Sequence, residues 1–482
     1  MAEESHLKTK VAKGLLWGGF NNGAQQLLNL VIGIFLARIL TPADYGMVGV
    51  LAIFSALASS LQEGGFISAL TIRKTVTHLD YTSVFWFNIS VGVFFYVLLF
   101  FLAPLIARFY DLPQLTSLAR FIFLGFLFSC TNTAARAYLF RNMMVKQTAF
   151  LTLFSLLISG IVGVTLALYG YAYWGLAWQT VSYTFCITVF TYCYSKFRPT
   201  FNFSFKAIKE MFGYSSKLIV TNVFTILNNN VFAVLLGKFY TPSDVGDFNQ
   251  ANKWTGMGYT FINGMINGVA QPSLSKVADN PDRQCMAFRK LLRFTSFISF
   301  PAMLGLAFIA EELIVLTITD RWIVSAGIMQ ILCIWGAFAP LSNLFSQLIL
   351  SQGRSNAYMW SSVILAICQV VAVYFSYPYG LLTMLIVFSA INILWVGVWY
   401  LIGRRKIPLS ILQFIKDTIP FLILASASIA AVYFITLGID NLLLSMAVKI
   451  ILTSALYLGL LKLLGARILS ESIYFLRHRS FV

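Results

Sequence analysis

Charged side chains are scarce in this chain: Asp, Glu, Lys and Arg make up 11% of its 482 residues, against roughly 25% in an ordinary soluble domain. Hydrophobic residues make up 59%, and they form runs of roughly 20 residues, the length that crosses a bilayer core. The connections between the runs are short, which excludes a nucleotide-binding cassette, a receptor ectodomain or a soluble catalytic domain. The composition therefore predicts a polytopic membrane protein.

Groups that commonly carry catalysis or hold metals are also sparse. The chain has three His and six Cys, with no CxxC pair and no GxxxxGK[ST] phosphate loop. Glu311 and Glu312 are adjacent acids at a predicted helix end. Because neighbouring helical residues point about 100° apart, we expect a solvated helix terminus rather than a catalytic pair. We therefore predict that the protein is not an enzyme and has no cofactor or metal site.

The apolar runs predict fourteen transmembrane helices. An even number places both termini on one side of the membrane. Most of the 34 Lys and Arg residues fall on that side, and the positive-inside rule makes it the cytoplasm. The predicted helices are 14–38, 47–70, 83–107, 117–139, 148–170, 173–194, 211–237, 247–274, 291–318, 323–350, 357–377, 380–402, 418–437 and 441–464.

An internal repeat occurs at an offset of 200 residues. Residues 35–46 read FLARILTPADYG, and residues 235–246 read LLGKFYTPSDVG. Six predicted helices lie in one period, so both copies enter the membrane in the same direction, as in transporters built from two parallel halves. We predict an all-α membrane protein with two parallel six-helix lobes, 1–200 and 201–405, followed by two helices and a tail in 406–482.

The T-P-x-D sequence shared by the two copies is typical of a helix start. Thr41 and Thr241 suit the N-cap, the following Pro suits the first helical position, and Asp44 and Asp244 can reach back to the cap. We therefore expect a structural turn at both places, and we assign neither to a substrate.

Amide side chains recur at helical spacing inside several predicted helices. Amides that face lipid are costly, so these stripes should face protein or a water-filled cavity. Hydrogen bonding between packed helices would explain any single amide, but the recurrence of the stripe at the 200-residue offset favours a shared cavity between the halves. The candidate residues are Asn22, Gln26 and Asn29 in the first helix, Asn222 and Asn229 in the seventh, and Lys253 and Asn263 in the eighth, whose polar stripe continues to Asn267.

Charged residues inside the predicted helices add to this interpretation, since a charge at the helix centre costs roughly 2.5–3.5 kcal/mol on insertion scales. Arg136 and Lys217 lie near the cytoplasmic boundary, where snorkelling is an alternative explanation. Glu63 can pair with a base such as Lys217 or couple transport to an ion. Lys253 lies on the polar stripe. A chamber with these residues is net cationic and suits an anionic ligand such as a pyrophosphate.

Several stretches, spread in order over most of the chain, resemble a known family. They resemble the polysaccharide transporter, or Wzx-type, flippases of the multidrug/oligosaccharidyl-lipid/polysaccharide exporter superfamily, in the branch of lipopolysaccharide and exopolysaccharide biosynthesis proteins. The stretches are ARILTPADYG, FWFN at 85–88, RNMMVK from Arg141, YWGLAWQ at 173–179, LLGKFYTPSDVGDFNQA at 235–251 and QPSLSK at 271–276.

The resemblance implies two lobes that open alternately to the cytoplasm and the periplasm. The implied cargo is an undecaprenyl-diphosphate-linked oligosaccharide, flipped across the bacterial inner membrane for lipopolysaccharide, O-antigen, capsule or exopolysaccharide biosynthesis. Arg136, Lys217 and Lys253 would hold the diphosphate, and the Asn and Gln stripes would hold the sugars. Implied partners are membrane lipid, H⁺ or Na⁺ with Glu63 as the coupling residue, and other polysaccharide assembly proteins, but not nucleic acid.

Three other functions remain open at this point. A multidrug/cation antiporter of the same superfamily would share the fold, but it needs buried acids, and Glu63 is the plausible one in the first lobe. A flippase for a lipid-linked peptidoglycan precursor has the same number of helices and a cationic chamber. A membrane glycosyltransferase or polymerase would need a sizeable outer loop, whereas the predicted outer loops are short.

Overall fold

The computed structural model describes residues 2–63, 66–73, 75–267, 269–465 and 468. Within these ranges, the structure describes the backbone alone at 2–16, 18–20, 61–63, 68, 72, 213–222, 224, 225 and 227–229. The described chain is helical nearly throughout, and it contains no strand in these ranges. The predicted all-α membrane fold is confirmed at this level.

The chain divides into two compact units, residues 1–246 and 247–482. The predicted division into two lobes and a C-terminal pair of helices stays a prediction. The first unit contains α1 (Ala2–Ile39), α2 (Pro42–Gly49), α3 (Ala52–Glu63), α4 (Phe66–Ile72), α5 (His78–Phe109), α6 (Leu115–Ile122), α7 (Leu124–Arg141), α8 (Val145–Leu168), α9 (Tyr173–Tyr194), α10 (Phe205–Phe239) and the start of α11 (Pro242–Asn267).

In its described residues, the second unit contains the rest of α11 and eight further α-helices. A short 3₁₀ helix, Asp320–Trp322, precedes the longest of the eight. These helices are α12 (Ala270–Lys276), α13 (Pro281–Phe308), α14 (Ala310–Ile318), α15 (Ile323–Ser351), α16 (Ser355–Ser376), α17 (Leu381–Gly403), α18 (Ile411–Thr436) and α19 (Leu442–Leu463).

Ten helical segments of the described chain are long and apolar enough to cross a membrane, and each overlaps a predicted span. The other four predicted spans fall on α1, α9, α10 and α11. Both α9, with 22 residues, and α11, with 26, are long enough to cross. Their Tyr, Thr, Asn and Gln side chains lower the mean hydropathy. The count of fourteen spans therefore stays a prediction.

The helix starts at the repeated turn are exact copies at the 200-residue offset. α1 ends at Ile39 and α10 at Phe239, and the next helices begin at Pro42 and Pro242. The predicted caps are confirmed. The Thr41 backbone N–H donates to Asp44 Oδ2 at 2.9 Å, and Thr241 donates to Asp244 Oδ2 at 3.0 Å. The turns fix where both helices enter, as a capping box does.

A buried carboxylate fastens α18 to α13 in the second unit. Asp417 is 4% exposed, and its two oxygens accept hydrogen bonds from Arg289 Nε at 2.6 Å and Arg289 Nη2 at 3.2 Å. Arg293 Nε lies 3.6 Å from the same carboxylate. This paired fork geometry is the strongest form of a charged hydrogen bond, so it anchors the first of the two C-terminal helices.

Candidate functional site

Four amide side chains meet where α11 and α15 pack in the second unit. Asn343 Nδ2 donates to Asn263 Oδ1 at 3.2 Å and to Asn267 Oδ1 at 2.7 Å. Gln347 Nε2 donates to Asn267 Oδ1 at 3.1 Å and to Asn343 Oδ1 at 3.4 Å. We call Asn263, Asn267, Asn343 and Gln347 the amide cluster. It is a polar site on two helices of a membrane protein.

Helical spacing produces the amide cluster. Asn263 and Asn267 are four residues apart on α11, and Asn343 and Gln347 are four apart on α15, so each pair lies on one helix face. The cluster keeps unused bonding capacity, because Gln347 Oε1 is buried without a hydrogen-bond partner among the described residues. Amides both donate and accept hydrogen bonds. The cluster can therefore bind hydroxyl groups of a ligand as well as join two helices.

Lys253 supplies a positive charge on the same helix as the amide cluster. Its side chain is half-buried, and the described residues provide it with no salt bridge. Ten residues separate it from Asn263, which is about 15 Å along a helix. A hydrogen bond holds the start of α11 against α15: Ser325 Oγ donates to Asp247 Oδ1 at 2.7 Å. A cation and neutral amides thus occupy one rigid element.

The amides predicted on α1 belong to the first unit. Asn22, Gln26 and Asn29 are all exposed, at spacings of four and three residues that put them on one face of the helix. Arg136 of α7 is exposed in the same unit. The structure does not bury these side chains between helices, so an accessible polar surface is the better interpretation of the α1 stripe.

Four predicted site residues have side chains outside the described part of the structure. α3 ends at Glu63, and Lys217, Asn222 and Asn229 lie on α10. Their assigned roles in ion coupling and substrate binding stay predictions.

Sequence reasoning missed two members of the amide cluster, Asn343 and Gln347. They lie in a long, mostly apolar helix. Gln347 repeats Gln147 at the 200-residue offset, whereas Asn343 has Met143 at its matching position. The available signals were that one repeat and their own spacing of four. It was also wrong about Glu312, which is 5% exposed and forms an ion pair with Lys449 of α19. Neighbouring residues on a helix diverge, so Glu311 points to solvent while Glu312 points inward.

Comparison with known proteins identifies the family. The family described as polysaccharide biosynthesis protein matches residues 35–327, more than half of the chain. The chain belongs to this family. It is 25% identical over 355 residues to the lipopolysaccharide biosynthesis protein WzxC of Escherichia coli (strain K12), covering 72% of this chain and 71% of that protein. The resemblance to Wzx-type proteins is therefore confirmed.

Two solved structures have the same fold as this member of the family. The lipid II flippase MurJ in an inward closed conformation is similar with a TM-score of 0.73 and 16% identity, over 93% of this chain and 99% of that one. An inward-facing multidrug resistance MATE family transporter of the MOP superfamily is similar with a TM-score of 0.65 and 16% identity, over 80% and 94%. These similarities confirm the predicted fold class.

The region that matches the family includes both T-P-x-D turns, and the two turns contact each other within the first unit. A Cβ atom on Gly46 would overlap the carbonyl oxygen of Pro242, and a Cβ atom on Gly246 would overlap that of Pro42. We call these two turns and their glycines the turn pair. Glycine is needed at both positions because only a hydrogen in place of Cβ permits this backbone approach.

A lysine joins the end of α10, just before the second turn, to the end of α5. Lys238 Nζ, near the end of α10, donates to the carbonyl oxygen of Phe109 at 2.6 Å and to Asp111 Oδ2 at 3.2 Å. Tyr110 is buried beside Gly237, and burial raises the pKa of its phenol to about 12. The end of α5 therefore packs against the end of α10, the helix that leads into the second turn of the turn pair.

Proposed function

We propose that this protein is a flippase that moves a lipid-linked oligosaccharide across the bacterial inner membrane by alternating access. The cargo in this proposal is an undecaprenyl-diphosphate-linked repeat unit for lipopolysaccharide, O-antigen, capsule or exopolysaccharide biosynthesis. Both termini lie in the cytoplasm, and the protein is a transporter rather than an enzyme.

The amide cluster is the observation that carries this proposal. Sugar hydroxyl groups both donate and accept hydrogen bonds, and clustered amides match them because each amide offers two donors and an acceptor. Half of the cluster lies on α11, a helix with too many polar residues for a lipid-facing span. A drug or cation antiporter would need unpaired carboxylates there, whereas the site has neutral amides and Lys253.

Lys253 supports the anionic part of the proposed cargo. A lysine ammonium is a compact point charge that binds phosphate oxygens, and the amides lie about 15 Å from it along the helix. If the diphosphate bound at Lys253, the attached sugars would extend along α11 to the amide cluster. Arg136 and Lys217 are the further proposed cationic contacts, and Asn22, Gln26, Asn29, Asn222 and Asn229 the further proposed sugar contacts.

The family and its relatives support the type of cargo, and the similar solved structures support the type of motion. The family and WzxC are named for polysaccharide and lipopolysaccharide biosynthesis, and the MurJ fold is that of a lipid II flippase. Since a shared fold hosts several functions, the proposed cargo rests on the site and on the family membership rather than on the fold.

Deletion of the gene in its host tests the proposal. We expect surface polysaccharide to disappear and its lipid-linked repeat unit to accumulate on the cytoplasmic side, where a membrane-impermeant glycosidase added to spheroplasts cannot reach it. The wild-type gene should restore export. Unchanged surface polysaccharide after deletion, in cells with no second copy of the gene, would contradict the proposal.

A further inference from the structure

The second unit contains a buried ion pair that the proposed cargo site does not use. Glu312 of α14 and Lys449 of α19 form this pair, with side chains 7% and 14% exposed. Ser445 Oγ also donates to Glu312 Oε1 at 2.9 Å. Burying two charges costs several kcal/mol per ion before their attraction is counted. Such a pair in a transport protein calls for an explanation beyond stability.

The two oxygens of Glu312 have different surroundings. Oε1 accepts hydrogen bonds from both Lys449 and Ser445, whereas Oε2 is buried with no hydrogen-bond partner among the described residues. A buried polar atom without a partner is costly. Binding of a proton there neutralises the carboxylate and weakens its attraction to Lys449, so the pair can exist in two states.

A cavity of about 290 Å³ lies between α13 and α19 next to the pair, and Lys449 is part of its wall. Its walls include Pro301, Gly305 and Thr453. Thr453 is 6% exposed, and its Oγ1 is buried with no hydrogen-bond partner among the described residues. A cavity of this size with polar groups in its wall has room for water molecules. Lys449 Nζ also lies 4.6 Å from the centre of the Phe308 ring, where it can remain when it leaves Glu312.

Other charged groups around the pair are at the surface. Glu311, Asp320 and Arg321 are exposed. On the neighbouring helices, α15 and the adjoining half of α13 have no acidic or basic side chain, and Lys462 of α19 is thirteen residues from Lys449. Tyr433 of α18 packs against Phe308. Glu312 and Lys449 are thus isolated from other charges by apolar surroundings.

The geometry points to a proton-binding site at Glu312 that couples transport to a proton gradient, with Lys449 as the charge that a proton displaces. In this proposal a proton enters from the cavity side of the pair, where Lys449 forms part of the wall, and binds Glu312 Oε2. Lys449 keeps its own protons, and the link between α14 and α19 loosens. Coupling rests on the proposed function, but proton binding does not. This site lies in the second unit and is distinct from the ion-coupling role predicted for Glu63.

Carbodiimide labelling of the wild-type protein tests proton binding without any substitution. Dicyclohexylcarbodiimide reacts with protonated carboxyl groups in apolar surroundings, and peptide mass spectrometry locates the adduct. We expect Glu312 to be labelled at acidic pH and labelled several-fold less at alkaline pH. Asp417 is the matched control, since it is equally buried but both of its oxygens accept hydrogen bonds from Arg289, and it should stay unlabelled. No labelling of Glu312, or labelling that does not vary with pH, would overturn the proton site.

Flipping in proteoliposomes under a pH gradient tests the coupling. We expect a gradient to change the wild-type rate several-fold, and the neutral variant E312Q/K449Q to keep its rate without a gradient but to lose the response. The K462Q variant should keep the response. A neutral variant with the full response would overturn the coupling. Wild-type protein that flips nothing would contradict the proposed function instead, and the labelling of the wild type still decides the proton site if the neutral variant does not fold.

Discussion

Asn343 has the central position in the amide cluster, because its Nδ2 donates to both Asn263 and Asn267. Each such bond contributes a net of about 0.5–1.5 kcal/mol. We expect N343A to lower the flipping rate of a lipid-linked oligosaccharide about three- to tenfold, because the remaining amides lose their orientation. Stopped-flow quenching of a fluorescent lipid-linked oligosaccharide in proteoliposomes measures this flipping rate.

Asn392 provides a matched control for Asn343. It is also an amide inside a predicted span and accepts a hydrogen bond from Gln369 Nε2 at 3.0 Å, but it lies on α17, outside the cluster. N392A should lower thermal stability in detergent without changing the flipping rate per folded molecule. Equal rate losses in the two variants would show that both amides act only as links between helices.

Lys253 should act on substrate binding more than on the fold, since it has no salt bridge in the described part of the chain. We expect K253Q to raise the concentration of diphosphate-linked substrate needed for half-maximal flipping about tenfold, equivalent to about 1.4 kcal/mol. Its thermal stability should be near that of wild type. An unchanged concentration dependence would remove Lys253 from the site.

Lys449 should affect stability strongly. K449M leaves Glu312 buried and uncompensated, and removing one partner of a buried pair costs about 3–5 kcal/mol. We expect a clear fall in the unfolding temperature in detergent. K462M, at an exposed position of the same helix, should change stability by less than about 0.5 kcal/mol. Similar unfolding temperatures for the two variants would show that the pair contributes little.

At the scale of elements, the turn pair is the most constrained contact in the first unit. We expect G46A and G246A each to lower stability by about 1–3 kcal/mol, the usual cost of overpacking, because the added methyl group meets a proline carbonyl oxygen. Thermal unfolding in detergent measures the loss.

Gly397 of α17 is the control for the turn pair, because a Cβ there meets open space. G397A should leave stability unchanged or raise it by up to about 1 kcal/mol through helix propensity. If all three alanine variants behaved alike, the close approach of the two turns would be unimportant for the fold.

The helix starts could be predicted from the sequence because their causes are local. Thr, Pro and Asp within four residues make a capping box whatever lies elsewhere, and both predicted boxes are present. Only the α11 half of the amide cluster could be predicted from the sequence. Asn263 is part of a stripe on one helix, whereas its partner Asn343 lies 80 residues further on, and which helices pack together is not a local property.

At the scale of the whole molecule, hydropathy and the resemblance to a family predicted the fold class, since both depend on features spread over the chain. Ion pairs between helices were not predictable. Glu312 and Lys449 lie 137 residues apart, and each taken alone is compatible with a surface position or with snorkelling. Arg289 and Asp417 are a second case, 128 residues apart.

The most direct measurement is the protein-dependent translocation of a fluorescent undecaprenyl-diphosphate oligosaccharide in liposomes, followed with a membrane-impermeant quencher. We expect the purified wild-type protein to expose the labelled lipid of the inner leaflet, and a lipid of equal length without the diphosphate and sugars to stay protected. Folded wild-type protein that leaves both lipids protected, with oligosaccharides of several compositions, would contradict the account.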